Sequence, residues 1–347
     1  MEFDIIQLNK KKHAEKYEKL LKTIKNYSPY YLLSFIKYFS NGLSSLICFV
    51  GLTKEGGIIL LPGYFRNIPS LSGYYDFTSP YGYSGPVFTE NISETHLKIF
   101  WNKIDVWYNS NNIVSEFIRF SLNINYQGYS GLLIPTLANI KGIIIDEKNQ
   151  WINFERKVRK NISRAQREYL ISKVISGQEI SDNYIDEFYK IYFHTMKRNN
   201  AESSFFYSED IFKKFIKNNN EKCALCSIYD FERCVSAELL LLSEDSVFSF
   251  LGGTLDDSFS KRPNDFLKYS VINWARLHNK KYYILGGGYG SDDGIFNFKK
   301  SFFPNNIVQF YTGRKIINEK IYNCLIENKF GRNIPETNFF PLYRFKL

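Results

Sequence analysis

One order of secondary-structure signals runs through this chain twice, and that repetition limits the possible folds more than composition does. In the first half, HAEKYEKLLKTIKNY and SPYYLLSFIKYFS read as helices, the second opened by Ser28-Pro29. The strands SSLICFVGL and GIILLPGYF follow across the turn TKEGG. Next come the helix SETHLKIFWNKIDVWYNS, the strand VSEFIRFSL, and short strands in GLLIPTL and GIIIDE. The second half brings the helices NYIDEFYKIYFHTMKRNN and SEDIFKKFIKNN, then three strands in CALCSIYDF and SAELLLLSEDSVFSFLGG. RPNDFLKYSVINWARLHN is a helix, with Phe266, Leu267, Val271, Trp274 and Ala275 at helical spacing behind Pro263. KYYILGGG, DGIFNFKKSFFP, VQFYTGRKI and NEKIYNCLIENKF close it as strand, helix, strand, helix.

This is an α/β (α+β) order. Its recurrence predicts two like domains, 1–150 and 151–347, each a mixed central sheet flanked by helices and joined near Trp151. The C-terminal PLYRFKL could return to the first domain.

With 347 residues and 44% apolar content, both domains can build cores. The net charge of +10 suggests nucleic acid at first sight. Lys far exceeds Arg, however, alongside abundant Asn, Ile, Phe and Tyr, as an AT-rich coding sequence would give. A basic surface for phosphorylated small molecules is therefore the expectation, with no nucleic-acid partner. No apolar run approaches the roughly 20 residues of a membrane span. GIILLPGYF is broken by Pro62, and MEFDIIQLNKKKHAEK lacks an apolar signal core, so a cytoplasmic protein is expected. The five cysteines form no disulfide framework; Cys223 and Cys226 sit three apart on a strand and so face opposite ways. The four histidines are scattered, and no metal site is expected.

Two stretches carry chemistry on their own. Residues 73–86, GYYDFTSPYGYSGP, combine turn formers, phenols and one carboxylate, which suits either a ligand-binding loop or a packed turn. In FERKVRKNISRAQREYL, Phe154, Val158, Ile162, Ala165 and Tyr169 form an apolar stripe beside a basic one of Arg156, Lys160, Arg164 and Arg167. That basic stripe is either a solvated face or a phosphate-holding wall.

The stretches DFTSPYGYSGPVF, KVRKNISRA, TMKRNNAESSFFYS, KRPNDFLKYSVINWA, and ILGGG with FNFKKSFFP resemble the FemAB-like branch of the GNAT acyltransferase superfamily. They lie in that family's order over most of the chain. The resemblance implies two tandem GNAT-like domains and an N-acyltransferase. One group in the branch uses aminoacyl-tRNA on a peptidoglycan precursor. Another uses acyl-CoA on nucleotide-linked amino sugars. Without visible long helical arms, the second group is expected: transfer from acyl-CoA to a dTDP- or UDP-linked amino sugar for surface polysaccharide such as O-antigen. The aminoacyl-tRNA reading and a non-catalytic nucleic-acid-binding module are the alternatives.

The resemblance also implies a site. Acyl-CoA would lie in the second domain between SVFSFLGG and YYILGGG, on Gly252, Gly253, Gly286, Gly287 and Gly288, with Lys261, Arg262, Asn264 and Lys299 holding its charged parts. The usual phosphate-loop glycines are missing from FSKRPNDF, and Phe298 stands where a thiolate-protonating tyrosine is common, so either another donor such as Tyr289 serves or CoA leaves as the thiolate. Asp76, Asp256 and Asp257 are the candidate bases, Asp76 in an aromatic setting; Asp265 reads more simply as a first-turn acid. Tyr75, Tyr81, Tyr83, Ser84, Arg159 and Arg164 would bind the acceptor, with the first domain forming its wall and carrying no CoA.

Overall fold

The computed structural model describes residues 1–39, 45–288, 290 and 293–346. The first apolar runs become β1 (Glu2–Gln7), α1 (Lys11–Thr23), α2 (Leu33–Tyr38) and β2 (Ser45–Leu52). The strands β3 (Ile58–Ile68), β4 (Leu71–Thr78) and the short β5 (Val87–Phe88) precede α3 (Glu94–Asn109), which Ser93 caps by accepting from the His96 N–H. β6 (Ile113–Arg119) and β7 (Leu132–Ile143) follow.

The second series is α4 (Glu147–Asn153), α5 (Arg156–Arg167), β8 (Ile171–Ser176), α6 (Asp182–Arg198) and α7 (Glu209–Asn218). It continues with β9 (Cys223–Asp230), β10 (Arg233–Leu242), β11 (Ser246–Thr254), α8 (Pro263–Leu277) and β12 (Tyr282–Gly286). The chain ends with α9 (Gly294–Lys300), β13 (Ile307–Ile316) and α10 (Glu319–Phe330).

The chain divides into two compact units: residues 1–136 with 310–347, and residues 137–309. In unit 1 the strands run β1-β2-β3-β4-β6-β13, antiparallel except for the parallel pair β4/β6. In unit 2 they run β8-β9-β10-β11-β12-β7, antiparallel except for the parallel pair β11/β12. The two orders are the same, so each unit is a mixed sheet flanked by helices, the architecture the resemblance implies.

The expected break at residue 150 is displaced for a topological reason. β7 follows β6 in sequence, yet its Ile140–Ile143 segment pairs with β12. β13 follows β12, yet its Thr312–Ile316 segment pairs with β6. Each unit thus takes its sixth strand from the opposite half of the sequence. PLYRFKL lies in unit 1 as well, where Tyr343 packs with Val114, Tyr322 and Leu325.

In unit 2, α5 and α8 cover one face of the sheet through Val158, Ile162, Leu267 and Val271, packed on Ala224, Leu240 and Tyr283. Cys226 is buried in that cluster. Burying an apolar side chain of this size contributes roughly 1.5–3 kcal/mol. One departure from regularity shapes the site. The β10/β11 register shifts between Leu239↔Leu251 and Leu240↔Ser249, leaving Phe250 as a bulge. β11 pairs with β12 only at Ser246–Phe248; past the bulge it runs with β10 alone, and the parallel pair splays open.

Candidate active site

The splay opens onto a cavity of about 540 Å³ within unit 2. Its walls come from α6, β10, β11, the start of α8, and α9. At its floor lies an ion pair that water barely reaches: Lys268 Nζ stands 2.6 Å from Glu238 Oε1, with side-chain exposures of 8% and 6%. The Tyr283 hydroxyl donates to Glu238 Oε2 at 2.8 Å, the Ser249 hydroxyl donates to Oε1, and Lys268 also donates to Ser249 Oγ at 3.1 Å. A buried pair tolerates its desolvation only when its remaining hydrogen-bonding capacity is met in this way.

Above the pair stands Lys299, which donates to the Gly287 carbonyl at 2.6 Å. Burial and the neighbouring Lys268 pull its ammonium down to about 8, against the opposing pull of Glu238 and Asp293. Arg262 caps α8 in the left-handed conformation, φ 64° and ψ 41°, with Pro263 in the first turn. Arg262, Pro263 and Asn264 all line the cavity, so the start of the helix, where the first N–H groups lack intrahelical partners, borders it. Asp265 accepts from Asn161 Nδ2 at 3.0 Å, and burial pushes its carboxyl up. Thr195 Oγ1 is buried in the wall with no hydrogen-bond partner among the described residues, and a Cβ on Gly253 would approach it to 2.0 Å.

Gly252, Gly253, Arg262, Asn264 and Lys299 therefore line one cavity. The other expected residues lie elsewhere. Lys261 is taken by Asp230, 2.6 Å away. Gly286 turns at φ 77°, Gly287 holds Lys299, and a Cβ on Gly288 would strike the Asp293 carboxylate.

Asp256 and Asp257 are half-exposed and absent from the cavity wall. His194 Nε2 lies 2.8 Å from Asp256, and Arg233 lies 2.7 Å from Asp257; these partners hold both carboxyls below their usual range. They are corrected here to surface ion pairs. Asp76 is fully buried in unit 1, accepting from Arg66 Nε at 2.6 Å, Arg344 Nε at 2.5 Å and the Tyr343 hydroxyl at 2.9 Å. Two guanidiniums and a phenol occupy both its oxygens, so it ties β3 and β4 to the C-terminal segment and has no place in the cavity wall.

Among the expected acceptor residues, Tyr83 is half-buried against Tyr30 and Phe310, and Tyr75 packs on the core under α3. The Ser84 hydroxyl donates to the Arg119 carbonyl at 2.8 Å. Tyr81 is 48% exposed. Arg159 caps the end of α4 on the carbonyls of Ile152 and Phe154, and Arg164 lies 3.9 Å from Glu168 on the surface. These roles are structural for Ser84 and Arg159. Tyr289 lies outside the described residues. Among the described residues, no group of His, Cys, Asp or Glu could hold a metal ion, and no helix is long and apolar enough to cross a membrane.

The sequence reading missed Glu238, Lys268, Ser249 and Tyr283. Their signal was a charge out of place: one Glu inside SAELLLL, and one Lys between Leu267 and Val271 on a buried helical face.

No curated protein sequence matches the chain. A family does. Residues 151–282 match the FemAB-like family, described as peptidoglycan biosynthesis/recognition. The matched segment runs from the end of α4 to the start of β12 and so contains both Glu238 and Lys268. The fold is also that of solved structures. FemX superposes with a TM-score of 0.68 at 12% identity, over 93% of this chain and 99% of its own. L-PGS from Bacillus licheniformis does so with a TM-score of 0.58 at 13% identity, over 93% and 97%. The C-terminal domain of a putative lysylphosphatidylglycerol synthetase from Agrobacterium fabrum gives 0.53 at 12% identity, over 77% and 84%.

Proposed function

We propose that this acyltransferase-type enzyme moves an aminoacyl group from aminoacyl-tRNA to an amine on a peptidoglycan precursor. The observation that carries the transfer chemistry is Lys299, an ammonium with a lowered pKa above the Lys268–Glu238 pair. The donor's ester carbonyl enters the splay, and the acceptor amine attacks it. The C–N bond forms, the C–O bond to the ribose breaks, and negative charge passes through the carbonyl oxygen. A desolvated cation near that oxygen favours the transition state more than the ground state. The leaving oxygen needs a proton, and an ammonium near 8 releases one more readily than an ordinary lysine. Lys268, Ser249 and Tyr283 hold Glu238, so Asp265 is the carboxylate in the wall available for the amine's proton.

Two observations favour tRNA over CoA as donor. The loop before α8 has no glycine, and Pro263 removes one N–H that would cradle a pyrophosphate. The match of residues 151–282 to a family described by peptidoglycan biosynthesis/recognition supports a peptidoglycan acceptor, the chemistry that the resemblance pairs with aminoacyl-tRNA. This reading displaces the nucleotide-linked amino sugar expected from sequence and returns nucleic acid to the partners. The acyl-CoA reading keeps one point in its favour: Arg262 and Asn264 still offer an anion seat at the start of α8.

A donor comparison separates the two. Full-length protein is given a peptidoglycan precursor with labelled aminoacyl-tRNA or with acyl-CoA. Label transfer from tRNA without thiol release from CoA is the expected result; the reverse overturns the donor assignment. Arg262→Ala should raise the donor's KM about tenfold with kcat little changed, since its charge serves ground and transition states alike. Steady-state kinetics at two salt concentrations check this, because the KM effect should shrink at high salt.

A further inference from the structure

One face of the unit 1 sheet, with the segment that covers it, carries four arginines and a single carboxylate. Arg66 and Asp76 are register partners on β3 and β4, and Arg314 is the register partner of Phe117 on β13 and β6. Residues 340–344 cover this face: Phe340 packs on Phe117 and under Arg314, while Arg344 and Tyr343 reach Asp76. Arg119, two residues beyond Phe117 on β6, has its guanidinium 4.8 Å from the Phe117 ring centre.

Asp76 answers Arg66 and Arg344 only. Among the described residues, neither Arg119 nor Arg314 pairs with a carboxylate. Arg66 Nη2 and Arg314 Nε are buried without a hydrogen-bond partner, and the one bond of the Arg119 guanidinium, to the Ser79 carbonyl, is long at 3.4 Å. Burial and the adjacent Arg66 pull Arg119 down to about 10, a measure of how poorly its charge is compensated. Buried donors left unmade cost roughly 1–3 kcal/mol each, so native proteins retain few without a reason.

We propose that this arginine cluster is an anion site in unit 1, and that its ligand is a phosphoryl group carrying more than one negative charge. Guanidiniums present paired N–H groups that match phosphate oxygens. Positive charges exceed negative by three, so a lone carboxylate would leave most of the surplus unanswered, whereas a diphosphate would meet it. Tyr81, the exposed phenol of GYYDFTSPYGYSGP, stands beside Arg119 and marks the open side. The site as an anion binder stands alone; its use for the charged end of the acceptor rests on the function proposed above.

Calorimetry and thermal melts with inorganic pyrophosphate, at constant ionic strength, test it. The start of α8 is a competing phosphate seat, so the measurements use the full chain carrying Arg262→Ala. The expected result is pyrophosphate binding with a raised Tm. Adding Arg119→Gln should weaken binding at least tenfold without lowering the anion-free Tm, since the removed charge had no counterion. Arg119→Lys should fall between, keeping charge but losing the paired geometry. No binding in the Arg262→Ala chain, undiminished binding after Arg119→Gln, or equally tight binding of acetate would each overturn the proposal. Binding intact in that chain, with no aminoacyl transfer by the wild-type protein, would leave this site standing and sink the function above.

Discussion

Lys299→Met lowers kcat by about 10²–10³-fold, the typical loss when a transition-state donor is removed, with much less effect on KM. Methionine keeps the length and apolar body of the lysine, so the cavity wall is conserved. Wild-type turnover should fall as pH rises through about 8, where the ammonium loses its proton, and the variant should lack that limb. Stability moves the other way. The folded state binds the Lys299 proton less tightly than the unfolded chain, whose lysine titrates near 10.5. The charged lysine therefore costs stability fully below about 8, and that cost fades as pH climbs towards 10.5. Lys299→Met should accordingly compare best with wild type in Tm at pH 7 and lose that relative gain by pH 10. Turnover within threefold of wild type would remove Lys299 from the chemistry.

The second large effect is on folding. Asp76→Ala strips the counterion from Arg66 and Arg344 and leaves the Tyr343 hydroxyl without its acceptor on β4. Breaking a buried ion pair from one side costs about 3–5 kcal/mol, because the remaining charge stays desolvated. Chemical denaturation should show that loss in the midpoint. Soluble, folded Asp76→Ala with full stability but no turnover would instead restore Asp76 to catalysis.

Most of the architecture was legible because its signals are local. Ser93 and Pro263 announce helix starts, alternation marks the strands, and the repeated order predicts the repeated sheet. Strand partners are another matter. Nothing in GLLIPTLANIKGI or VQFYTGRKI says which sheet edge each will join, because both edges offer the same unpaired backbone. The cavity residues on glycine-rich and basic motifs were readable for the same local reason. Glu238 and Lys268 were not, since 30 positions separate them and each alone looks like an interruption of an apolar run. The carboxylates misled because sequence shows an acid and its neighbours in the chain. Arg344, which occupies Asp76, lies 268 positions away.

The exchanged strands bear on how such a protein can be cut, and on when it can fold. Unit 1 needs β13, whose Thr312–Ile316 pairs with β6, and unit 2 needs Ile140–Ile143 of β7. A gene split at the apparent repeat boundary, after residue 150, would give two products each missing an edge. On the ribosome, the first 136 residues would emerge with the side of β6 still bare until the last 38 arrive. A bare sheet edge recruits other chains. Expression of isolated halves should therefore aggregate, and mixing them should rescue solubility by returning each borrowed strand to its lender.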